Sequence, residues 1–145
     1  MPQSESAALA ELLVRAGQAV GRFRRAAAAA HGLTTTAMGV LGALSRGAGV
    51  SHRELAARLG VTPATLTPVV DTLDASGDLV RTRDPTDRRV VRLSITDSGR
   101  ARISVASAAV DAAVAERMPR TVAEQAAAVR EHLLVVIAAF DGVDG

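Results

Sequence analysis

Hydrophobic residues recur every three or four positions over most of this chain, and one stretch abandons that spacing for alternation. From Ser6 to Ala30, Leu9, Leu13, Ala16, Val20 and Phe23 form the stripe of a long amphipathic helix that Gly32 would end. A second apolar stretch, Ala37 to Leu44 with Met38, Val40 and Leu41, stops in the glycine-containing segment 45–49. Ser51-His52-Arg53-Glu54 has the spacing of a capping box, so a helix should begin at Ser51, with Leu55, Ala56 and Leu59 on its apolar face. Gly60 can take the left-handed conformation at its end, and Val61 plugs the turn. Thr62-Pro63 predicts an N-cap followed by proline at the first helical position. That helix should run to about Ala75 and bury Leu66, Val69 or Val70, and Leu73 before Ser76-Gly77 stops it.

After that stop the period becomes two. Leu79, Arg81 and Arg83 alternate with their neighbours, then Val90, Arg92 and Ser94 alternate with Val91, Leu93 and Ile95, which predicts a two-stranded hairpin. Its tip, residues 84–89, holds turn formers and two adjacent arginines. Thr96-Asp97 can cap an alanine-rich helix reaching about Arg117, where Met118-Pro119 breaks it. Thr121-Val122-Ala123-Glu124 has the spacing of a second capping box, and the helix beyond it aligns Val122, Ala126, Val129, Leu133, Val136 and Phe140. The predicted fold is mainly α with a small β-hairpin wing, in a single domain over residues 1–145. Two short helices joined by a glycine turn and followed by a basic-tipped hairpin are the layout of a winged helix-turn-helix, here at residues 33–96.

Composition narrows what such a fold can do. The apolar residues are mostly Ala, Val and Leu, with Phe23 and Phe140 the only aromatics, so the core must be thin. Small side chains bury little area each, and a dimer that extends the core across two chains would offset the shortfall. All 17 basic residues are arginine against 15 acids, a net charge of +2 that by itself points to no partner. Without cysteine the chain has no disulfide, thiolate chemistry or thiol redox sensing. No basic region precedes an apolar run at the N-terminus, and the stretches 26–30 and 133–140 fall well short of a membrane span, so a soluble cytoplasmic protein is expected. His31, His52 and His132 are isolated and no nucleophile motif is present, so neither an enzyme nor a metal or cofactor site is expected.

Charge placement points to double-stranded DNA. Residues 46–102 hold ten arginines and seven acids, with Arg88 and Arg89 at the hairpin tip, where an arginine fork can sense the negative potential of a minor groove. The helix from Thr62 can enter a major groove, presenting Ala64, Thr65 and Thr67 as methyl groups and hydroxyls. Ser51, Arg53, Arg83 and Arg92 complete the candidate contacts, with Arg46 a further candidate for phosphate, and Asp87 is placed to orient an arginine. The competing reading is a winged-helix module that contacts protein and not DNA, a variant with no need for arginines at the wing tip.

The segments Ser-His-Arg-Glu-Leu-Ala-Ala-Arg-Leu-Gly-Val at 51–61, Thr-Pro-Ala-Thr-Leu-Thr-Pro-Val-Val-Asp-Thr-Leu at 62–73 and Asp-Pro-Thr-Asp-Arg-Arg-Val-Val-Arg-Leu-Ser-Ile-Thr-Asp-Ser-Gly at 84–99 carry a resemblance to the multiple antibiotic resistance regulator (MarR) family. The resemblance spans nearly the whole chain, and the wing segment is its most specific part. It implies a dimeric winged-helix transcriptional regulator, in the main a repressor, reading pseudo-palindromic sites and released by a small-molecule effector. Thr62, Ala64, Thr65 and Thr67 would then face the major groove, and Arg89, with Arg88 second, would enter the minor groove. The helices at 5–31 and 97–141 would be the dimerisation helices, and His31, Met38 and Leu41 would line an effector pocket. Two departures stand out. Pro68 occupies a recognition-helix position where members of the family often carry a basic residue, and should bend the helix. The peroxide-sensing branch has a similar Thr-Leu-Thr-Pro run but senses through a cysteine, so its chemistry does not transfer.

Overall fold

A computed structural model of the chain describes residues 2–47 and 49–142. Among the described residues, six helices and three short strands follow in the order α1 (Pro2–Ala29), α2 (Thr35–Ser45), β1 (Val50–Ser51), α3 (His52–Leu59), α4 (Pro63–Ala75), β2 (Leu79–Arg83), β3 (Val91–Ile95), α5 (Asp97–Arg117) and α6 (Ala123–Asp141). Most helix starts are dictated by a hydroxyl that satisfies a backbone N–H of the first turn. Thr34 accepts from Ala37 N at 3.0 Å, Ser51 from Glu54 N at 3.2 Å, Thr62 from Thr65 N at 3.1 Å and Thr96 from Gly99 N at 3.1 Å. Between α3 and α4 the chain turns on Gly60, whose φ of +64° is open to glycine at little cost.

The sheet has three antiparallel strands in the order β1-β3-β2, one more than the alternation predicts. β2 and β3 form the expected hairpin, with Leu79 opposite Ile95 and Arg83 opposite Val91, while β1 adds Val50 opposite Leu93. A strand of two residues carries no readable period, which hides it in the sequence.

The core lies where α2, α3 and α4 meet the sheet and the first half of α5. Val40, Leu41, Leu44, Leu55, Leu66, Val70, Leu73, Leu79 and Leu93 are buried there, joined by Ile103 and Ala106. Val70 takes the fully buried position and Val69 only packs against its edge. α5 approaches the α4–β2 turn so closely that a Cβ on Gly99 would lie 1.9 Å from the Asp78 carbonyl oxygen, so only glycine fits. Pro68 does not end α4, which continues to Ala75.

The two ends of the chain are built differently. α6 starts at Ala123 after Val122, which has no side chain to cap it. The expected second capping box fails because the Thr121 hydroxyl turns back to donate to the Pro119 carbonyl at 3.3 Å. α6 buries no residue: Val122, Val129, Leu133 and Phe140 of its apolar stripe are exposed, Phe140 to 75%. Leu9, Leu12, Val14 and Val20 of α1 are exposed as well.

Candidate nucleic-acid interface

The burial of Leu66, Val70 and Leu73 fixes which side of α4 faces out. That side presents Thr62, Pro63, Ala64, Thr65 and Thr67, all exposed. Its hydroxyls are engaged locally: Thr62 and Thr65 Oγ1 lie 2.8 Å apart, Thr67 Oγ1 donates to the Pro63 carbonyl at 2.9 Å, and Thr72 Oγ1 donates to the Pro68 carbonyl at 2.9 Å. Ser51 uses its oxygen to cap α3. Its neighbour His52, which no motif singles out, has its Nε2 3.0 Å from the Pro63 carbonyl oxygen and 3.4 Å from Thr67 Oγ1. Residues from the starts of both helices thus meet at one carbonyl.

The wing is shaped by a buried carboxylate. Asp84 Oδ1 accepts from Thr86 Oγ1 at 2.6 Å, Thr86 N at 2.8 Å and Asp87 N at 3.2 Å, and Oδ2 accepts from Arg92 Nε at 2.6 Å. These bonds, the Thr86 hydroxyl first and then Arg92, hold the Asp84 carboxyl well below the usual carboxylate range, because they stabilise its charged form. Arg92 also donates through NH1 to the Gly49 carbonyl at 2.8 Å. Arg92 thus braces the wing against the loop before β1. Asp87 orients Arg89 through the backbone, its Oδ1 accepting from Arg89 N at 3.0 Å. The Arg88 and Arg89 side chains remain exposed, and among the described residues neither they nor Arg53 and Arg83 enter an ion pair.

Two further arginines fasten elements together. Arg81 on β2 pairs with Asp71 and with Asp74, the latter at 3.2 Å, which ties the hairpin to the second half of α4. Arg102 on α5 donates to Asp78 at 2.5 Å and to the Gly32 carbonyl at 3.0 Å, joining the α1–α2 turn, the α4–β2 turn and α5. Asp78 also accepts from the Ser76 hydroxyl at 2.6 Å, and its side chain is only 3% exposed. The sequence carries no local sign of these pairs, since their partners lie far apart along the chain.

An open cavity of about 490 Å³ lies between α1, α2 and α5, with Arg24, Met38, Arg46, Arg100, Ser104 and Asp111 among its walls. Met38 is on its wall. Leu41 is not, because it is fully buried in the core, and His31 lies off the wall with its carbonyl turned toward Arg102. No group of three metal-ligating side chains occurs among the described residues, and no helix there is long and apolar enough to cross a membrane.

Comparison with known proteins agrees with this geometry. Residues 31–90 match a family model described as MarR family. The HTH-type transcriptional regulator TtmR of Methylorubrum extorquens is 39% identical over 99 residues, 68% of this chain and 51% of TtmR. The chain thus spans about half the length of the first curated relatives it matches, at 51% and 44%. The HTH-type transcriptional repressor Rv2887 of Mycobacterium tuberculosis is 33% identical over 125 residues, 86% of this chain and 90% of the repressor. Among solved structures, the transcriptional repressor CouR bound to a 23-mer DNA duplex superposes with a TM-score of 0.77 at 30% identity, covering 90% of this chain and 92% of CouR. CouR from Rhodococcus jostii RHA1 bound to p-coumaroyl-CoA superposes at 0.73 with 32% identity, covering 90% of this chain and 91% of CouR. A mainly helical winged-helix fold, a DNA-bound structural relative and a repressor matched over nine-tenths of its length lead to one conclusion: the chain belongs to the MarR family of DNA-binding transcriptional regulators.

Proposed function

We propose that two copies of this chain bind an inverted repeat in duplex DNA and repress the adjacent promoter. Each copy would lay α4 in a major groove and direct Arg88 and Arg89 into the neighbouring minor groove. The observation that carries this reading is a locked wing backbone ending in two exposed, unpaired arginines beside the exposed threonines of α4. Arg53 and Arg83 add phosphate contacts, which give affinity without sequence information. A module that bound only protein would have no need of charge at that tip. Such a regulator works in the cytoplasm, in contact with the genome, and catalyses no reaction.

Dimerisation through α1, α5 and α6 is supported by the apolar residues that α1 and α6 leave exposed. Two-fold symmetry would set the recognition helices about one helical turn of DNA apart, roughly 34–36 Å. Selection of bound duplexes from a random pool tests the reading, with affinity followed against salt. An enriched inverted repeat whose binding weakens steeply with salt is expected. No enrichment, with weak binding at low salt only, would overturn it.

The cavity between α1, α2 and α5 supports an effector of anionic character. Arg24, Arg46 and Arg100 come to its wall from three different elements, and arginine is suited to carboxylate and phosphate groups. CouR, whose structure holds an acyl-CoA, offers the model for such a ligand. Titration of the DNA complex with acyl-CoA thioesters and aromatic carboxylates should release DNA, and the release should be lost in an Arg24→Ala, Arg100→Ala double variant. Release by neutral aromatic compounds alone would point to a different chemistry.

A further inference from the structure

The contact between His52 and the first turn of α4 constrains what Thr67 can offer to a base, an inference that rests on α4 being the recognition helix. The Pro63 carbonyl oxygen can only accept, so a hydrogen bond from His52 Nε2 at 3.0 Å requires the proton to sit on Nε2. That proton also lies within reach of Thr67 Oγ1, 3.4 Å away. The Thr67 hydroxyl meanwhile donates its only hydrogen to the same Pro63 carbonyl at 2.9 Å. Two side chains therefore converge on one oxygen, and the threonine hydroxyl is held with its hydrogen committed and one lone pair turned to the imidazole.

What remains for DNA is a lone pair and a methyl group. In the major groove a lone pair suits the amino group of adenine or cytosine, and a methyl suits that of thymine. Guanine shows only acceptors there, at N7 and O6, and offers such a threonine nothing to bond. A threonine free to rotate would donate to guanine as readily as it accepts from adenine. Thr67 bonds the Pro63 carbonyl as Thr72 bonds that of Pro68, but only Thr67 also has an imidazole N–H facing its oxygen. We propose that His52 is a specificity-determining positioning residue, which by donating to Thr67 Oγ1 keeps the hydroxyl in this rotamer when DNA competes for its hydrogen and so makes α4 discriminate against guanine at the base under Thr67. His52 itself need touch no base.

Two variants separate this role from a merely structural one. His52→Ala removes the donor, while His52→Gln places an amide N–H where Nε2–H stood. Duplex selection with each, beside Thr67→Ala to locate the base concerned, gives the readout. The wild type should disfavour guanine at that base by roughly three- to tenfold, the size of one neutral hydrogen bond. His52→Ala should lose this preference with dimer size and melting temperature kept, His52→Gln should restore it, and the salt dependence should not change. An unchanged preference in His52→Ala overturns the proposal. So does uniform weakening across sequences with a salt slope smaller by about one, which would make His52 a phosphate contact. The imidazole nitrogens of the DNA-free protein supply a reading independent of binding: nitrogen-15 spectra at about pH 8 should show the Nε2–H form, and the Nδ1–H tautomer would sink the idea. A wild-type protein that selects no duplex would overturn the regulator reading instead, while the tautomer spectrum would still decide whether His52 makes its contact.

Discussion

Arg89 and Arg92 stand three residues apart in the wing and sit in opposite surroundings. Arg89 is exposed and unpaired, whereas Arg92 is spent on Asp84 and the Gly49 carbonyl. Arg89→Ala should weaken duplex binding by about 1–3 kcal/mol and lower the salt slope, with the dimer intact. Arg92→Ala should act through order: hydrogen exchange at residues 84–92 should speed up in the free protein, and DNA affinity should fall as a consequence. Asp84 gives this brace a pH signature. Its carboxyl titrates lower in the folded chain than in the unfolded one, so its contribution is fully present above the ordinary carboxylate range. It is lost only as pH falls through that range toward the depressed folded value. Exchange protection of the wing should therefore be flat from about pH 8 to 5 and decline in stronger acid, and in Asp84→Asn it should be low throughout.

At the scale of the element, legibility followed how local the cause was. Ser51, Thr62 and Thr96 announced three helices because a cap is a contact between residues three apart, and Gly60 announced its turn because the left-handed conformation belongs to one residue. Thr121 matched the same pattern and failed, since the Pro119 carbonyl competes for its hydroxyl. The two threonines therefore make a paired prediction. Thr62→Ala should cost about 1 kcal/mol of stability in denaturant unfolding, and Thr121→Ala less than about 0.5 kcal/mol. β1, the Arg81 pairs and the His52 contact were illegible for the opposite reason. Each depends on partners from 7 to 43 residues away, and hydrophobic periodicity says nothing about which polar groups will meet. At the candidate site the consequence was specific: the exposure of the α4 threonines and of the wing-tip arginines could be read from pattern, but which arginines would enter ion pairs could not.

At the scale of the whole molecule a winged-helix lobe is carried on long helices, and Arg102 links the two through Asp78 and the Gly32 carbonyl. Its partner Asp78 is almost completely buried, so Arg102→Ala would leave a carboxylate without its cation. A cost of about 3 kcal/mol is expected, at the low end for a broken buried pair because a third of the Arg102 side chain reaches water. Urea unfolding measures it, and a loss below about 1 kcal/mol would show that the Ser76 hydroxyl suffices for Asp78 without the cation. At the other end of the molecule, Leu133→Arg on α6 should yield a monomer by light scattering, with the lobe still folded and DNA affinity much reduced. A dimer that survived this change would remove α6 from the interface.

An α6 that buries nothing within its own chain has a consequence for gene dosage. When chains are scarce, the number of paired readers grows with the square of the number of chains, so halving synthesis cuts the supply of competent readers to a quarter. If α6 pairs two copies as proposed, its partner is what separates a scarce polypeptide from a working switch, and a promoter under its control would respond to the square of protein supply.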